Sequence, residues 1–211
     1  MKRLAVFGAS GHGKVVAEIA ELCGWSEVVF FDDDLNKNQL EKWQIVGNMN
    51  SLISKVKKFD GCIIAIGDNK IRSEKIKLLL SKGCKNLVSL IHPSAVVSSH
   101  CKIGIGTVIM AGSIVNPFSQ IGISSIINTG SIIEHDNLIE DFVHISPGVK
   151  TSGGVKIGIK TWIGAGSSIK QNLTIGQNVM VGMGSVVIRS VPENSIIFGT
   201  PAKIQKIKNN A

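Results

Sequence analysis

A small α/β domain followed by a parallel β-helix is the fold class that the sequence predicts, and three features predict it. Large branched residues recur at every sixth position from Ile91 to Val187. Before them, apolar runs alternate with helical stretches, and the first run ends in the glycine turn Gly8-Ala9-Ser10-Gly11-His12-Gly13. The 211 residues are 44% hydrophobic and 18% charged, enough to bury a sizeable core and to exclude a disordered chain.

Arg3-Leu4-Ala5-Val6-Phe7 reads as a buried parallel strand, because a short continuous apolar run suits a strand covered on both faces. A helix over 14–22 follows and stops at Gly24. Strands over 28–31 and 62–66 and a helix over 70–81, ending before Gly83, complete a βαβαβ pattern, so residues 1–88 form a Rossmann-like unit. The turn at Gly8 lets backbone N–H groups approach a phosphate at the helix start. Asp32, 24 residues beyond Gly8, stands where an acid can bind a ribose or base. The glycines run G-x-x-G-x-G rather than G-x-G-x-x-G, which favours a mononucleotide diphosphate over NAD. A tight turn without a ligand is the alternative.

Stepping by six from Ile91 meets 17 positions; 16 are Ile or Val and the other is Thr151. Four residues after each usually stands a small or β-branched side chain, as at Ser113, Ser119, Ser125, Ser131, Val143 and Val149. A period of six matches neither a helix nor a long strand. It matches short strands joined by corners, with one branched side chain per hexad stacking inward. Three hexads close a triangular coil, so the 17 hexads make roughly 5.7 coils, about 4.8 Å apart. The β-helix is therefore placed at 89–190. The tail 191–211, with Pro192, Pro201 and the basic stretch from Lys203 to Lys208, is expected to cover one open end.

The net charge of +8 is spread evenly, each part of the chain on either side of residue 90 carrying +4, so no basic nucleic-acid arm is present. Aromatic residues make up 5% and there is no Tyr, leaving few stacking platforms for bases. A modest positive field suits small anionic ligands. Cys23, Cys62, Cys84 and Cys101 are too widely spaced for a zinc or dithiol motif and read as small buried side chains. No apolar run approaches the roughly 18 residues of a membrane span, and the N-terminus has no signal-peptide pattern, so a cytoplasmic protein is expected.

Against the regular repeat, residues 133–144 stand out: four acids and two histidines fall within twelve residues, and Glu193 is the only other acid after residue 90. Such a cluster suggests a proton-handling site. His135 and His144, nine residues apart, lie on different sides of one coil, which argues against a metal held by both. A carboxylate that fixes the tautomer of His135 would make it a general base. Asp136 is the first choice for that partner and Glu134 the second. An exposed corner histidine without function is the competing reading.

Several segments carry a family resemblance: Gly8 to Gly13, Phe31-Asp32-Asp33, Ala65-Ile66-Gly67-Asp68-Asn69 with Arg72, Asn128-Thr129-Gly130-Ser131, Glu134-His135-Asp136, His144 and Gly199-Thr200-Pro201-Ala202-Lys203. Together they resemble the hexapeptide-repeat sugar acyltransferases that carry an N-terminal nucleotide-sugar-binding domain. That family includes N-acetyltransferases of bacillosamine and perosamine biosynthesis and sialic acid O-acetyltransferases. The resemblance implies a left-handed parallel β-helix, a homotrimer and acetyl-CoA as co-substrate without a metal. The implied reaction is direct acetylation of the 4-amino group of a UDP-linked 4-amino-4,6-dideoxy sugar for glycan biosynthesis. By the same resemblance His135 is the base, Asp136 its orienting acid in place of the usual Glu, and His144 lies beside the acetyl group. Gly8, Ser10, Gly11, His12, Asp32, Asp33 and Asn69 match the nucleotide-sugar site, where Asp68 replaces an Asn of the pattern. Gly153, Ala165, Met183 and Pro201 match positions that bind the cofactor in the groove between neighbouring β-helices.

Three other readings compete. The same base could serve O-acetylation of a sialic acid or related hydroxyl. A zinc enzyme would need three converging histidines, and His92, His100, His135 and His144 contain no pair at ligand spacing. A non-enzymatic scaffold would explain the repeat but neither the acidic cluster nor the glycine turn.

Overall fold

The computed structural model describes residues 2–207. They divide into two compact units, one ending at Pro93 and the other beginning at Ser94. The end of the tail, from Lys208 onward, lies outside the described residues.

In the first unit Arg3–Phe7 is the central strand of three, paired in parallel with Glu27–Phe31 on one side and Gly61–Ile64 on the other. The two crossovers leave the central strand in opposite directions, so the turn at Gly8 opens at the point where such sheets bind ligands. Leu4, Phe30, Ile63, Ile19, Ile76 and Leu79 are fully buried between the sheet and its helices. Three α-helices accompany it: α1 (Gly11–Leu22), α2 (Met49–Lys55) and α3 (Asn69–Ser81).

Helix α1 starts three residues before the expected position, in a stretch of low helix propensity. The reason is close packing. A methyl group on Gly13 would overlap the Gly8 carbonyl and meet the Phe30 ring at 3.0 Å, so glycine is required inside this first turn. Helix α2 and the hairpin Gln39–Leu40/Trp43–Gln44 were not anticipated. Both are too short to show a periodicity, and α2 is marked mainly by its cap, where the Asn48 side chain accepts from Ser51 N at 3.0 Å. Asp68 caps α3 in the same way, accepting from Ile71 N at 2.8 Å.

The second unit is a parallel β-helix with the expected period. Strands repeat at 18 residues, with Ile114 opposite Ile132, Gln120 opposite Leu138 and Ile126 opposite His144 on three successive faces. The six-residue series fills the interior, where Ile109, Ile127, Ile133, Ile145, Ile157, Ile163 and Ile175 are fully buried and Thr151 takes its place among them. Every sixth residue from Gly106 to Gly184 has φ between 49° and 75°, so each corner turns through the left-handed region. Glycine fills half of these sites; Phe118, Ser124, Asp136, Phe142, Lys160, Asn172 and Asn178 occupy the others.

The small residues of the second series do more than fill space. Ser113, Ser119, Ser125, Ser131 and Ser167 each donate through the hydroxyl to a carbonyl 15 residues ahead, at 2.8–3.1 Å. Ser119, Ser125 and Ser167 also accept from backbone N–H groups 18 residues ahead. Buried hydroxyls thus satisfy backbone groups that the corners leave unpaired. In the last coil Ile196 and Ile197 pair with Met180 and Val181 at a spacing of 16, two residues short of a full turn. The antiparallel strands Ser195–Gly199 and Ala202–Ile207 then close this end of the stack.

Candidate active site

His135 and Asp136 form the corner that follows the strand Ile132–Ile133. His135 Nδ1 lies 2.7 Å from Asp136 Oδ2, and both side chains are exposed. A carboxylate only accepts, so this contact places the proton on Nδ1 and leaves Nε2 as the acceptor. The left-handed backbone of Asp136, φ 59°, is that of every corner, and it brings the two adjacent side chains to one side. Glu134 turns elsewhere: its Oε2 accepts from Asn116 Nδ2 at 2.9 Å.

Two further residues hold this corner, and neither was given this role from sequence. Gly153 sits one coil beyond His135, and a methyl group on its Cα would lie 2.5 Å from His135 Cε1 and 2.6 Å from Nε2. The ring rests where only glycine leaves room. Asn137 is fully buried, and its Nδ2 lies 2.6, 3.2 and 3.0 Å from the carbonyl oxygens of Glu134, His135 and Ser152. It ties the His135 corner to the next coil. Its signal was present in the sequence: Asn137 is the only amide in a series otherwise made of small, aliphatic or hydroxyl side chains.

His144 lies on the face carrying Ile126, Trp162 and Met180. It is buried, stacked on Trp162 with ring centroids 4.6 Å apart, and its Nε2 is 3.3 Å from Asn128 Nδ2. Trp162 is itself fixed by donating from Nε1 to Ser146 Oγ at 2.8 Å. The three faces succeed one another in chain order, so the His135 corner is the vertex opposite the His144 face. The two histidines therefore do not meet within one β-helix. Ala165 and Met183 share the corner column that borders the His144 face, joined by the Gly184 N–H to the Ala165 carbonyl at 2.8 Å. Met183 is 79% exposed. Gly153 belongs instead to the His135 column, and Pro201 to the turn between the two terminal strands.

In the first unit Gly8 has φ 112°, and a side chain there would meet the Ala65 carbonyl oxygen at 2.7 Å, so the turn requires glycine. Asp32 spends both oxygens on the backbone, accepting from Ala9 N at 2.6 Å and Asp34 N at 2.9 Å. Asp33 accepts from Met49 N at 3.0 Å and pairs with Lys75. Burial opposes its ionisation, but Lys75 and the Met49 N–H outweigh it and hold the carboxyl below the usual range. Asn69 is buried and accepts from Arg72 Nη2 at 2.6 Å. Arg72, also buried, donates through Nη1 to the carbonyls of Ile66 and Gly67, each at 2.9 Å. Burial lowers its pKa to about 9, with Asp68 opposing, so it stays charged at neutral pH. Ser10 and Gly11 are exposed at the start of α1 and His12 is partly so. The sequence-derived set thus separates into residues engaged by the protein itself, Gly8, Asp32, Asp33 and Asn69, and residues at the start of α1 that are exposed, Ser10 and Gly11, or partly so, His12.

Among the described residues no three His, Cys, Asp or Glu side chains are grouped to hold a metal, and no helix is long and apolar enough to cross a membrane. Residues 3–79 match the PglD N-terminal domain family. The chain is 38% identical over 118 residues to UDP-N-acetylbacillosamine N-acetyltransferase of Bacillus subtilis, an alignment spanning 53% of this chain and 52% of that one. It is 31% identical over 160 residues to GDP-perosamine N-acetyltransferase of Escherichia coli O157:H7, covering 72% and 71% of the two chains. Among solved structures it resembles a histidine-to-asparagine variant of perosamine N-acetyltransferase from Caulobacter crescentus in complex with CoA and GDP-perosamine, with TM-score 0.93, 33% identity and 98% of both chains covered. The acetyltransferase domain of PglB from Neisseria gonorrhoeae, in complex with acetyl coenzyme A, matches with TM-score 0.92 and 38% identity over 96% of this chain and 98% of that one. The solenoid they share is the left-handed parallel β-helix of these acetyltransferases.

Proposed function

Because the chain belongs to the hexapeptide-repeat nucleotide-sugar N-acetyltransferases, we propose that it transfers acetyl from acetyl-CoA to the 4-amino group of a UDP-linked 4-amino-4,6-dideoxy sugar, with His135 as the base. The observation that carries the role of His135 is its 2.7 Å contact with Asp136, on a surface that Gly153 leaves open. The resemblance to the bacillosamine enzyme, 38% identical over 118 residues, supports UDP as the nucleotide, and the GDP-linked sugar is the alternative that the resemblance to the perosamine enzymes supports.

An ammonium has no lone pair, so the acceptor reacts as the neutral amine, its first proton lost to solvent, and a second proton must leave nitrogen as it attacks the thioester carbonyl. His135 Nε2 takes that proton, and Asp136 stabilises the resulting imidazolium. The new C–N bond forms a tetrahedral intermediate whose oxyanion is met by His144 or a backbone N–H. The intermediate collapses by breaking the C–S bond, and the CoA thiolate leaves and takes up the proton. No acyl-enzyme is required. The first unit would bind the nucleotide, with its phosphates at Ser10, Gly11 and His12 at the start of α1 and its nucleoside end shaped by Asp32, Asp33 and Asn69.

One β-helix places His135 and His144 on opposite sides, so a site using both needs a second copy. A homotrimer meets this need, with the Gly153 column of one copy facing the Ala165 and Met183 column of the next around acetyl-CoA, and Pro201 near the cofactor's far end. We also place the reaction in the cytoplasm.

The test is thiol release from acetyl-CoA with UDP-, GDP- and dTDP-linked 4-amino-6-deoxy sugars, and with free and CMP-linked sialic acids alongside. Turnover on the UDP-linked amino sugar, lowered roughly 10²-fold or more by His135→Ala, is expected. Turnover on sialic acid alone would transfer the nucleophile from nitrogen to oxygen. Near-normal turnover in the variant would remove His135 as the base.

A further inference from the structure

Gly83, with φ 80°, ends helix α3 in a left-handed turn, and the Cys84 N–H closes that turn on the Leu79 carbonyl at 3.0 Å. The chain then runs beside the strand Gly61–Ile64, where Cys62 N donates to the Asn86 carbonyl at 2.8 Å and Val88 N to the Cys62 carbonyl at 3.0 Å. Asn86 also fixes this stretch through its side chain, donating to the carbonyls of Val56 and Phe59 at 3.1 and 2.9 Å. These contacts bring Cys62 and Cys84, 22 residues apart in the chain, into side-chain hydrogen-bond contact. Both thiols are free; Cys62 is fully buried and Cys84 is 4% exposed. Cys84 lines a cavity of about 390 Å³ together with Lys57, Gly83 and Lys85, so it is the sulfur of the two that a small molecule can reach.

We infer that Cys84 and Cys62 form a reversible redox pair, in which Cys84 reacts with hydrogen peroxide and Cys62 then closes a disulfide. The pair belongs to the first unit alone and does not depend on the proposed acetyl transfer. Its surroundings divide the roles. The Cys84 sulfur accepts from the Cys62 thiol and from the Asn86 N–H, and these two donors favour its thiolate against burial. Cys62 is held in the thiol form, first by the neighbouring Cys84 and then by burial.

The Cys84 thiolate attacks one peroxide oxygen: the S–O bond forms, the O–O bond breaks, and the departing hydroxide takes up a proton from solvent. Cys84 is then a neutral sulfenic acid, so the charge that opposed ionisation of Cys62 is gone. The Cys62 sulfur attacks the Cys84 sulfur, the S–S bond forms as the S–O bond breaks, and the second hydroxide leaves with the Cys62 proton. Two thiols and one peroxide thus give one disulfide and two waters; the sulfurs lose the two electrons that the peroxide gains. A small dithiol reverses the step by exchange. Hydrogen peroxide is close to water in size and fits the cavity, whereas a bulky disulfide has no approach to a sulfur so little exposed.

The test treats the full chain with a small excess of hydrogen peroxide at neutral pH and follows intact mass and peptide maps. The expected product has lost about 2 Da, carries the Cys62 and Cys84 peptides joined, and returns to the starting mass with dithiothreitol. Cys62→Ala should instead leave Cys84 as a sulfenic acid that dimedone labels, and Cys84→Ala should abolish both products. The wild-type map decides by itself, so the inference stays testable if either buried substitution harms folding. An unchanged mass, a gain of about 32 Da from a sulfinic acid on wild-type Cys84, oxidation that begins at the exposed Cys23, or a disulfide joining two chains would each overturn the pair.

Discussion

The His135 imidazole lies against Gly153, so close that a single methyl group on the Gly153 Cα would stand 2.5 Å from Cε1. Gly153 lacks the positive φ that marks the corner glycines, so its backbone accepts alanine and only the ring must move. Gly153→Ala is therefore expected to keep the fold and to lower kcat by roughly 10- to 100-fold, because small misplacements of a catalytic group are that costly. Circular dichroism and steady-state turnover check the two halves of this statement; a full-speed enzyme would show that the ring position is unimportant.

Asp136 can be tested without damaging its corner. Glycine occupies the equivalent site at Gly130, Gly148 and Gly154, so Asp136→Gly should fold at least as well as the parent. Loss of the contact to Nδ1 frees the ring to adopt the wrong tautomer, and turnover should fall about 10- to 100-fold. An unchanged melting temperature together with reduced kcat is the expected pair of results.

Arg72 is a structural hub of the first unit, satisfying the carbonyls of Ile66 and Gly67 and the amide oxygen of Asn69. Arg72→Met keeps much of the volume but leaves these buried acceptors without a charged donor. A loss of at least about 2–3 kcal/mol is expected, read as a lower urea midpoint. Affinity for the nucleotide sugar should fall with it, measured below the new midpoint by calorimetry.

The cysteines differ in environment: Cys23 is exposed and Cys101 half-buried, whereas Cys62 and Cys84 are buried. Interaction with Cys62 lowers the Cys84 thiol to about 6, against the opposing effect of burial, while Cys62, Cys23 and Cys101 are all raised. A cavity of about 390 Å³, lined by Lys57, Gly83, Cys84 and Lys85, opens beside it. Alkylation of Cys84 should therefore increase as pH rises through 6, whereas the other three need more alkaline conditions. Peptide mapping after brief iodoacetamide treatment at pH 5 and pH 7 reports this directly. Equal labelling of Cys23 and Cys84 at pH 7 would contradict the assignment.

Much of the fold was legible because its rules are local. The inward series from Ile109 to Val187 is a spacing along the chain, and the three-faced coil follows from it. The short hairpin at Gln39–Gln44 and helix α2 escaped because seven residues or fewer carry no readable period. The glycines of α1 misled in the opposite direction, since propensity argues against a helix there, whereas the close contact of Gly13 with Gly8 requires glycine inside its first turn.

The candidate site divides along the same line. By itself the sequence determined the β-helix and the α/β unit, and it set His135 between two candidate carboxylates, Asp136 first and Glu134 second. Only the tertiary structure decided which carboxylate meets the ring, Asp136 at 2.7 Å, since Glu134 is claimed by Asn116 from the preceding coil. It alone showed that Gly153 makes room for the ring, that Asn137 ties down the corner, and that Asp32 and Asp33 spend their oxygens on the protein. The physical reason is common to all of these: they are contacts between residues brought together by coil stacking or by sheet crossovers, and a one-dimensional pattern carries the period of such contacts but not their partners.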